Sequence, residues 1–247
     1  MEFIGSDAGK KPVYMGWGSM VRQSNQEMAI FAVEALMRSN QRGIVLGGYA
    51  GLSMEVLAAA CATDDKDGQK LMDYAKENVM FVDKAPHEWL FPRVSLTVHH
   101  GGAGTLNAAL RAGVPTIVTP VFGDQYDNSL VVQKLGVGVG FEQKLQKIDA
   151  GDLAEAINAV VSDPAVAARA KTIGEETRNE SGCRAIVEAV EQYWKEDAVS
   201  GRFLADIEEW YSATKERKSN NERKTLHNRI LLVSAVAVVI GAFLSRW

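Results

Sequence analysis

Short β-rich runs alternate with stretches of helical periodicity from residue 13 to residue 162, and this alternation restricts the fold more than any other feature of the sequence. It is typical of a parallel sheet that is covered by helices on both faces. We therefore predict a doubly wound, Rossmann-like α/β domain with a six-stranded parallel sheet. The predicted strands are residues 13–16, 43–47, 79–82, 96–99, 116–119 and 137–141.

Helical periodicity fills the intervals between these strands and then continues alone. Asp149 or Asp152 is available to cap the last helix between the strands and the tail, and from Pro164 to about Lys218 only helices are expected. A helical tail therefore follows the sheet. The helices predicted before the tail are residues 25–39, 71–77, 105–112, 125–135 and 152–161.

Composition and charge exclude several other classes of protein. A chain of 247 residues with 47% hydrophobic residues and 6 Pro is not disordered, collagen-like or a disulfide-stapled miniprotein. Cys61 and Cys183 match no zinc spacing, and we interpret them as buried or idle thiols in a reducing compartment. The net charge of −4 includes a local +4 over residues 213–229, which leaves −8 on the remainder. Nucleic acid is therefore not an expected partner.

The C-terminal residues suggest an attachment to a membrane. Residues 230–244 carry no charge, and as a helix they would span roughly 22 Å, short of a hydrocarbon core of about 30 Å unless the flanking arginines reach the headgroups. We predict a single C-terminal anchor helix with the body on the cytosolic face, because basic residues precede the apolar stretch. A buried core helix and an interfacial helix are the alternatives.

These features divide the chain into three expected segments. Residues 1–196 form the predicted ligand-binding domain, residues 197–229 a helical, basic linker and residues 230–247 the transmembrane anchor. Residues 1–11 have no apolar run behind a basic start, so no secretory signal is predicted.

The strongest candidate for chemistry is the glycine turn, residues 99–105 (HHGGAGT), which follows a predicted strand and opens a helix. Ligands of doubly wound sheets bind at the carboxyl ends of the strands. Glycines let the backbone approach a ligand closely, and the start of a helix offers unpaired N–H groups to an anion. A histidine beside such a turn can donate to a phosphate oxygen. A tight turn that serves packing alone is the alternative.

Three further loops follow predicted strands. The first places Ser19 in GWGSM, where Val21 stands at the third glycine position of a dinucleotide fingerprint; a helix cap is the alternative for Ser19. The second places Asp124 beside Gln125, a pair suited to sugar hydroxyls, with an Asp cap and an exposed Gln as the alternative.

The third of these loops is APHEWL, residues 85–90. Its His87 gains a functional interpretation only from its position at the same edge of the sheet as the other loops, and a structural histidine is the alternative. We interpret Trp89, with its two apolar neighbours, as core packing of a short helix rather than as a stacking platform.

The run APHEWLFPRVSLTVHHGGAGTLNAALRAGVPTIVTPVFGDQYDN, residues 85–128, together with VYMGWGSM, residues 13–20, resembles the C-terminal, donor-binding half of UDP-glycosyltransferases of GT-B fold. Within them it is most similar to the sterol and lipid 3-β-glucosyltransferases. The similarity in layout extends from Val13 to about Lys195. Plant-type members carry a glutamate eight residues after the phosphate histidine, where this chain has Ala108, as sterol-type members do.

The resemblance implies a role for each matching residue. His100 would contact phosphate, and Ser19 would lie near the β-phosphate. The uracil and ribose edge falls on Ala85 and His87. The remaining implied contacts are Ala103, Gly104 and Thr105 with the diphosphate, and Asp124 and Gln125 with the glucose hydroxyls.

The resemblance also implies an inverting transfer of a hexose, with glucose as the implied sugar, from a UDP-sugar to a sterol or other lipid hydroxyl. UDP-sugar is a substrate, and neither a metal nor another cofactor is expected. A formal DxD motif, at residues 65–67, lies in the acidic stretch 63–68, which we interpret as a solvated loop. No general base is expected on this chain, because the family places it on an N-terminal acceptor domain.

Three explanations for the absent acceptor half stay open at this point. The chain could be a truncated gene product, one subunit of an enzyme whose acceptor domain is a separate chain, or a membrane-anchored nucleotide-sugar binder without catalysis. An NAD-dependent oxidoreductase is disfavoured by Val21 and by Gly47 and Gly48, which stand where an acidic residue would end the second strand.

Overall fold

A sheet of six parallel strands forms the centre of the structure, a computed structural model that describes residues 2–5, 11–62 and 66–216. The strand order is β3-β2-β1-β4-β5-β6, so the order reverses between β1 and β4. Each neighbouring pair is parallel, which confirms the predicted sheet. The strands are β1 Val13–Gly16, β2 Gly43–Leu46, β3 Val79–Val82, β4 Leu96–His99, β5 Thr116–Val118 and β6 Gly138–Gly140.

Three predicted strands have the observed bounds, and the other three are longer than observed by one residue, 43–47 and 116–119 at their last residue and 137–141 at both ends. Gly47 and Thr119 lie just outside β2 and β5, but the N–H of Gly47 still donates to Val82 O and that of Thr119 to His99 O. The ladder of hydrogen bonds therefore continues one step past the assigned ends.

Helices connect the strands and cover the sheet. Helices α1 and α3 were not predicted, and α6 and α8 each begin two residues earlier than predicted. Helix α4 begins at Lys66 rather than at residue 71, because its first turn is polar and shows no apolar period. The helices are α1 Glu2–Gly5, α2 Asn25–Ser39, α3 Met54–Ala60, α4 Lys66–Asn78, α5 His87–Leu90, α6 Ala103–Ala112, α7 Gln125–Leu135, α8 Ala150–Ser162 and α9 Pro164–Asn179.

Alternate residues of β1 enter different cores, one on each face of the sheet. Val13 and Met15 are buried in the core that α2 and α8 cover. Tyr14 lies in the opposite core, which includes Leu90 of α5 and Ala109 of α6. Burying a large apolar side chain contributes about 1.5–3 kcal/mol to folding. Both faces are therefore covered, as the doubly wound prediction requires.

Side-chain caps fix where two of these helices begin. Ser24 Oγ accepts from the N–H of Glu27 at the start of α2. Asp149 and Asp152 form a reciprocal capping box at the start of α8, which confirms the predicted cap. Since Ser24 caps the first long helix, the alternative interpretation of Ser19 as a cap is wrong.

The second compact unit begins at Ser181, and its described part is helical. It contains α10 Gly182–Tyr193, a π-helical turn Trp194–Ala198 and α11 Arg202–Glu216. No residue of α10 is buried, and Cys183 is exposed, so of the two interpretations offered for the thiols, buried or idle, burial is excluded for this one. The cysteine lies near the start of α10, where no other described residues bury it.

No helix in the described part of the chain is both long and apolar enough to cross a membrane. The proposed anchor, residues 230–244, and most of the basic stretch before it lie outside the described residues. The division of the chain at residues 196 and 229 stays a prediction.

Candidate functional site

The loops after β1, β3, β4 and β5 leave the sheet at one edge, because their strands are parallel. Trp17 Nε1–H donates to Thr119 Oγ1 at 2.9 Å, which ties the loop after β1 to the end of β5. A Cβ built on Gly18 would lie 3.6 Å from His100 Cε1, so the loop after β1 also touches the glycine turn. The structure therefore brings the loops that carry Ser19, His100 and Asp124 together.

At two positions of the glycine turn there is no room for a side chain, so glycine is required. Gly101 has φ +90°, and a Cβ there would lie 2.7 Å from Val118 Cγ1. A Cβ on Gly102 would lie 2.5 Å from His100 Nε2. The turn therefore accommodates the imidazole only because residue 102 has no side chain.

The start of α6 presents backbone N–H groups that no side chain caps. Gly102 is the N-cap and provides no side-chain oxygen. Ala103 and Gly104 are exposed, and Thr105 is half-buried. The first N–H groups of a helix have no partner within it and carry the positive end of the helix dipole. This end of α6 therefore offers the free donors and the positive dipole that an anion requires, and anion binding stays a prediction.

His100 lies over this helix end. Its Nε2 faces the position that a Cβ on Gly102 would occupy, and its ring is half-buried. Burial lowers the pKa of His100, and the charge of Asp124 opposes that effect. Its Nδ1 is buried without a hydrogen-bond partner among the described residues. A neutral imidazole with one N–H at this position can donate to a ligand oxygen.

His99, the neighbouring histidine, faces the interior. It is fully buried, and burial lowers its pKa to about 3. Its Nδ1 accepts from the N–H of Gly101 at 3.0 Å, and its Nε2 lies 2.9 Å from Thr116 Oγ1. Sequence reasoning assigned no role to His99. The available signal was its place as the last residue of a buried strand.

The loop after β5 places a carboxylate beside a buried amide. Asp124 is exposed and makes no capping bond, whereas Gln125 is 4% exposed. Gln125 Oε1 accepts from the N–H groups of Val121 and Phe122 at 2.8 and 3.2 Å. Of the alternative interpretation, a capping Asp with an exposed Gln, the exposed Gln is wrong, whereas Asp124 does stand at the N-cap of α7 but makes no capping bond with its side chain.

Asn128, to which the sequence analysis assigns no role, connects two of the loops. It lies on α7 one turn after Gln125, and its Nδ2–H donates to Gly101 O at 2.8 Å. The loop that carries Asp124 and the glycine turn are thereby joined by a side chain that is itself half-buried.

In the loop after β3, the side chain of His87 contacts other residues of the protein. The ring of His87 stacks on Phe91 with centroids 4.5 Å apart. Its Nε2 lies 3.1 Å from the hydroxyl of Tyr14. Burial lowers the pKa of His87 and raises that of Tyr14, so both are neutral near pH 7. Ala85, two residues earlier, is half-buried at the same edge.

The prediction that Trp89 packs in the core is wrong. Leu90 and Phe91 are buried at 1% and 0% exposure, but Trp89 is 39% exposed. In the short helix α5 it lies on the outer side, where the guanidinium of Arg93 sits 4.6 Å from its ring centroid.

Ser19 lies in an exposed turn that the rest of the structure holds in place. Met20 N–H donates to Trp17 O at 2.9 Å, which closes the turn. Arg22 donates to the carbonyl oxygens of Leu145, Ile148 and Gln146. The loop after β1 is therefore fixed, while the hydroxyl of Ser19 stays accessible.

The described residues contain no group of three His, Cys, Asp or Glu side chains that could hold a metal ion. Asp67 of the formal DxD lies in the first turn of α4 near Lys70, so the interpretation of residues 63–68 as a loop is wrong from Lys66 onward. Asp65 lies outside the described residues. Independence from metal stays a prediction.

A family model decides the affiliation. Residues 44–193, more than half of the chain, match the model of the "erythromycin biosynthesis protein CIII-like, C-terminal domain". The chain belongs to the UDP-glycosyltransferase family. Within it the matched residues correspond to the C-terminal domain, which confirms the resemblance drawn from residues 13–20 and 85–128.

Curated relatives in the UDP-glycosyltransferase family carry a more specific name. The chain is 36% identical to a sterol 3-beta-glucosyltransferase of Saccharomyces cerevisiae, over 76% of the chain and 15% of that protein. It is 34% identical to one of Debaryomyces hansenii, over 73% and 11%, and 36% identical to one of Arabidopsis thaliana, over 74% and 26%. The chain thus spans between about a tenth and a quarter of the length of these relatives.

Solved glycosyltransferase structures share the fold. A UDP-glucose:anthocyanidin 3-O-glucosyltransferase in complex with UDP aligns with TM-score 0.57 and 19% identity, over 73% of the chain and 39% of that structure. The glycotransferase of kitacinnamycin aligns with TM-score 0.54 and 24% identity, over 75% and 44%. At these identities the likeness shows the fold, the C-terminal half of GT-B.

Proposed function

We propose that this chain supplies the donor-binding half of an enzyme that transfers a hexose, glucose, from a UDP-sugar to the hydroxyl of a sterol or another lipid. The observation that carries the proposal is the meeting of His100 and the uncapped start of α6 beside the loop of Asp124 and Gln125. An anion site next to a carboxylate and an amide matches a diphosphate joined to a sugar. The names of the relatives support the sterol acceptor.

The diphosphate lies across the glycine turn. N–H groups at Ala103 and Gly104, the hydroxyl of Thr105 and Nε2–H of His100 donate to its oxygens, and Ser19 approaches from the loop after β1. Each hydrogen bond to a charged group contributes about 1.5–3 kcal/mol. Ala85 and His87 border the uracil and ribose, and Asp124 and Gln125 the sugar hydroxyls.

The transfer inverts the configuration at the anomeric carbon of the sugar. The acceptor oxygen attacks in line and forms the new glycosidic bond, while the bond to the β-phosphate oxygen breaks and UDP leaves. His100 and the positive end of α6 stabilise the charge that develops on the leaving phosphate. These donors serve in place of a metal ion. Proton removal from the acceptor belongs to a base on an acceptor domain that precedes this one or is contributed by a separate chain.

Attachment to the cytosolic face of a membrane through residues 230–247 is part of the same proposal. A lipid acceptor resides in a membrane, and an uncharged stretch behind basic residues would hold the donor half beside it. The apolar character of residues 230–244 supports this placement.

Calorimetry on the full chain tests donor binding. Both UDP and UDP-glucose are expected to bind, and the affinity of each should be the same with EDTA as without it. Thr105→Val should weaken UDP binding about tenfold, the loss of one hydrogen bond to a charged group. Thr172→Val is the matched control, because this exposed threonine on α9 loses the same hydroxyl away from the site.

Three results would count against the proposal. Absence of UDP binding at millimolar nucleotide removes it, and preferential binding of NAD assigns the site to an oxidoreductase. If UDP-glucose binds but no sugar is transferred when a sterol glucosyltransferase N-terminal domain is added, the chain is a nucleotide-sugar binder without catalysis.

A further inference from the structure

We propose that His99, Thr116 and Asn128 are positioning residues that clamp the peptide groups of Gly101 from two sides and thereby hold the glycine turn in its anion-binding shape. None of the three needs to touch the ligand. The inference rests on the proposed donor site and adds residues that act on it through the backbone.

The N–H side of the clamp fixes the tautomer of a buried histidine. His99 Nδ1 accepts from the N–H of Gly101 at 3.0 Å, so this nitrogen carries no proton. The proton is then on Nε2, which donates to Thr116 Oγ1 at 2.9 Å. Thr97 Oγ1 also donates to Thr116 Oγ1, at 2.8 Å. His99, Thr97 and Thr116 are all fully buried.

The carbonyl side of the clamp comes from α7. Asn128 Nδ2–H donates to Gly101 O at 2.8 Å. A Cβ built on Gly101 would lie 3.3 Å from Gln125 O, so the turn packs directly on the first turn of α7. Residue 101 is therefore held by hydrogen bonds at its N–H and its C=O and by contact along its Cα.

The clamp sets the direction in which the chain leaves β4 and enters α6. Gly101 has φ +90°, a backbone conformation that is outside regular secondary structure and so has no helix or strand hydrogen bonds to hold it. It is preceded by His100 and followed by Gly102, the N-cap of α6. A rotation of the Gly101 peptides would turn both the imidazole and the first N–H groups of α6. Asn128 also makes the loop of Asp124 and Gln125 move with the turn, so the anion subsite and the sugar subsite are one unit.

The first test compares UDP with uridine, which has no phosphate, in calorimetric titrations of the full chain. Asn128→Ala is expected to weaken UDP binding about tenfold and uridine binding less than about twofold, because the clamp acts on the phosphate side. Asn158→Ala, an exposed position on α8, is the matched control and should change neither. Equal losses for UDP and uridine, or no loss for either, would overturn the proposal.

The second test separates the hydrogen-bond acceptor of the His99 ring from the space that the ring fills. In His99→Asn the amide oxygen can replace Nδ1 as the acceptor for Gly101, so UDP affinity should stay within about threefold of the unchanged chain. His99→Leu fills the space without an acceptor and should weaken UDP binding tenfold or more. If both variants bind UDP alike, His99 fills space and positions nothing.

The third test needs neither a variant nor a nucleotide. In the ¹⁵N-labelled full chain, a scalar coupling through the hydrogen bond should join the Gly101 amide nitrogen to His99 Nδ1, and His99 should remain the neutral Nε2–H tautomer down to pH 5. A protonated Nδ1 would overturn the clamp. Since this measurement is independent of ligand, it separates a failure of the clamp from a failure of the proposed donor site.

Discussion

The glycine turn after β4 and the loop after β3 each place a histidine at the same edge of the sheet, but they leave it in different states. In the loop after β3, His87 is already satisfied by the Tyr14 hydroxyl and the Phe91 ring. In the glycine turn, the inner histidine His99 makes the internal bonds, whereas the buried Nδ1 of His100 has no partner among the described residues and its Nε2 faces the start of α6. A histidine without internal partners is the better candidate for direct contact with a ligand.

The largest expected effect concerns the backbone of the glycine turn. Gly101→Ala should lower the free energy of unfolding by about 3 kcal/mol, because a Cβ would meet Val118 and the residue would need a positive φ. Gly123→Ala has a positive φ but no atom within 4 Å of the added Cβ, and should cost about 1 kcal/mol. Urea unfolding measures both. Equal values would mean that the packing around Gly101 is loose.

The two histidines are compared directly by UDP titration. His100→Ala should raise the Kd for UDP by about 30- to 100-fold, equivalent to about 2–3 kcal/mol for a bond to a charged group. His87→Ala should raise it only about threefold, since its ring nitrogen is bonded within the protein. The reverse order would show that the loop after β3 provides the main contact.

Acidification should reduce stability. The pKa of buried His99 is lowered to about 3, below the value near 6.5 of an unfolded histidine, so the unfolded state binds the proton first as the pH falls. Stability is therefore present above pH 6.5 and is lost below it, by about 1 kcal/mol between pH 6.5 and 5.5 for this group. Burial shifts the pKa values of His87 and His100 in the same direction.

Unfolding measured at several pH values tests this linkage. His99→Asn, which cannot be protonated in this range, should flatten the dependence relative to the unchanged chain. An unaltered slope in that variant would contradict the assignment of the linkage to His99.

The smallest effects separate two serines that flank the same segment. Ser19→Ala should weaken UDP binding about threefold without changing stability, because this hydroxyl is exposed in a turn. Ser24→Ala should lower the free energy of unfolding by about 1 kcal/mol through loss of the α2 cap, with UDP affinity preserved. If Ser19→Ala lowered stability and Ser24→Ala weakened UDP binding instead, Ser19 would be the structural residue and Ser24 the ligand contact.

The strands and the site loops could be predicted from the sequence because both depend on local signals. Apolar runs such as residues 96–98 mark buried strands, and the glycine turn directly follows one. Roles for His100, Asp124 and Gln125 came with the resemblance to a known family.

The clamp could not be predicted, because it depends on which residues meet across the sheet. Thr116 bonds His99 only because β5 pairs with β4 in a register that sets Thr97 beside Thr116. The helix α3 was missed for a different reason, since seven largely apolar residues show no helical period. Trp89 was misplaced because periodicity does not fix the facing of a four-residue helix.

The orientation of the Gln125 side-chain amide is fixed by its hydrogen bonds. Two backbone N–H groups converge on its Oε1, and a flipped amide would set donors against donors, so the side chain has only its NH₂ left to offer outward. A glutamate in its place would keep the two inner bonds yet present an acceptor oxygen instead. Replacing one nitrogen by oxygen would thus reverse the hydrogen-bonding polarity of this side chain while leaving the loop that it holds intact.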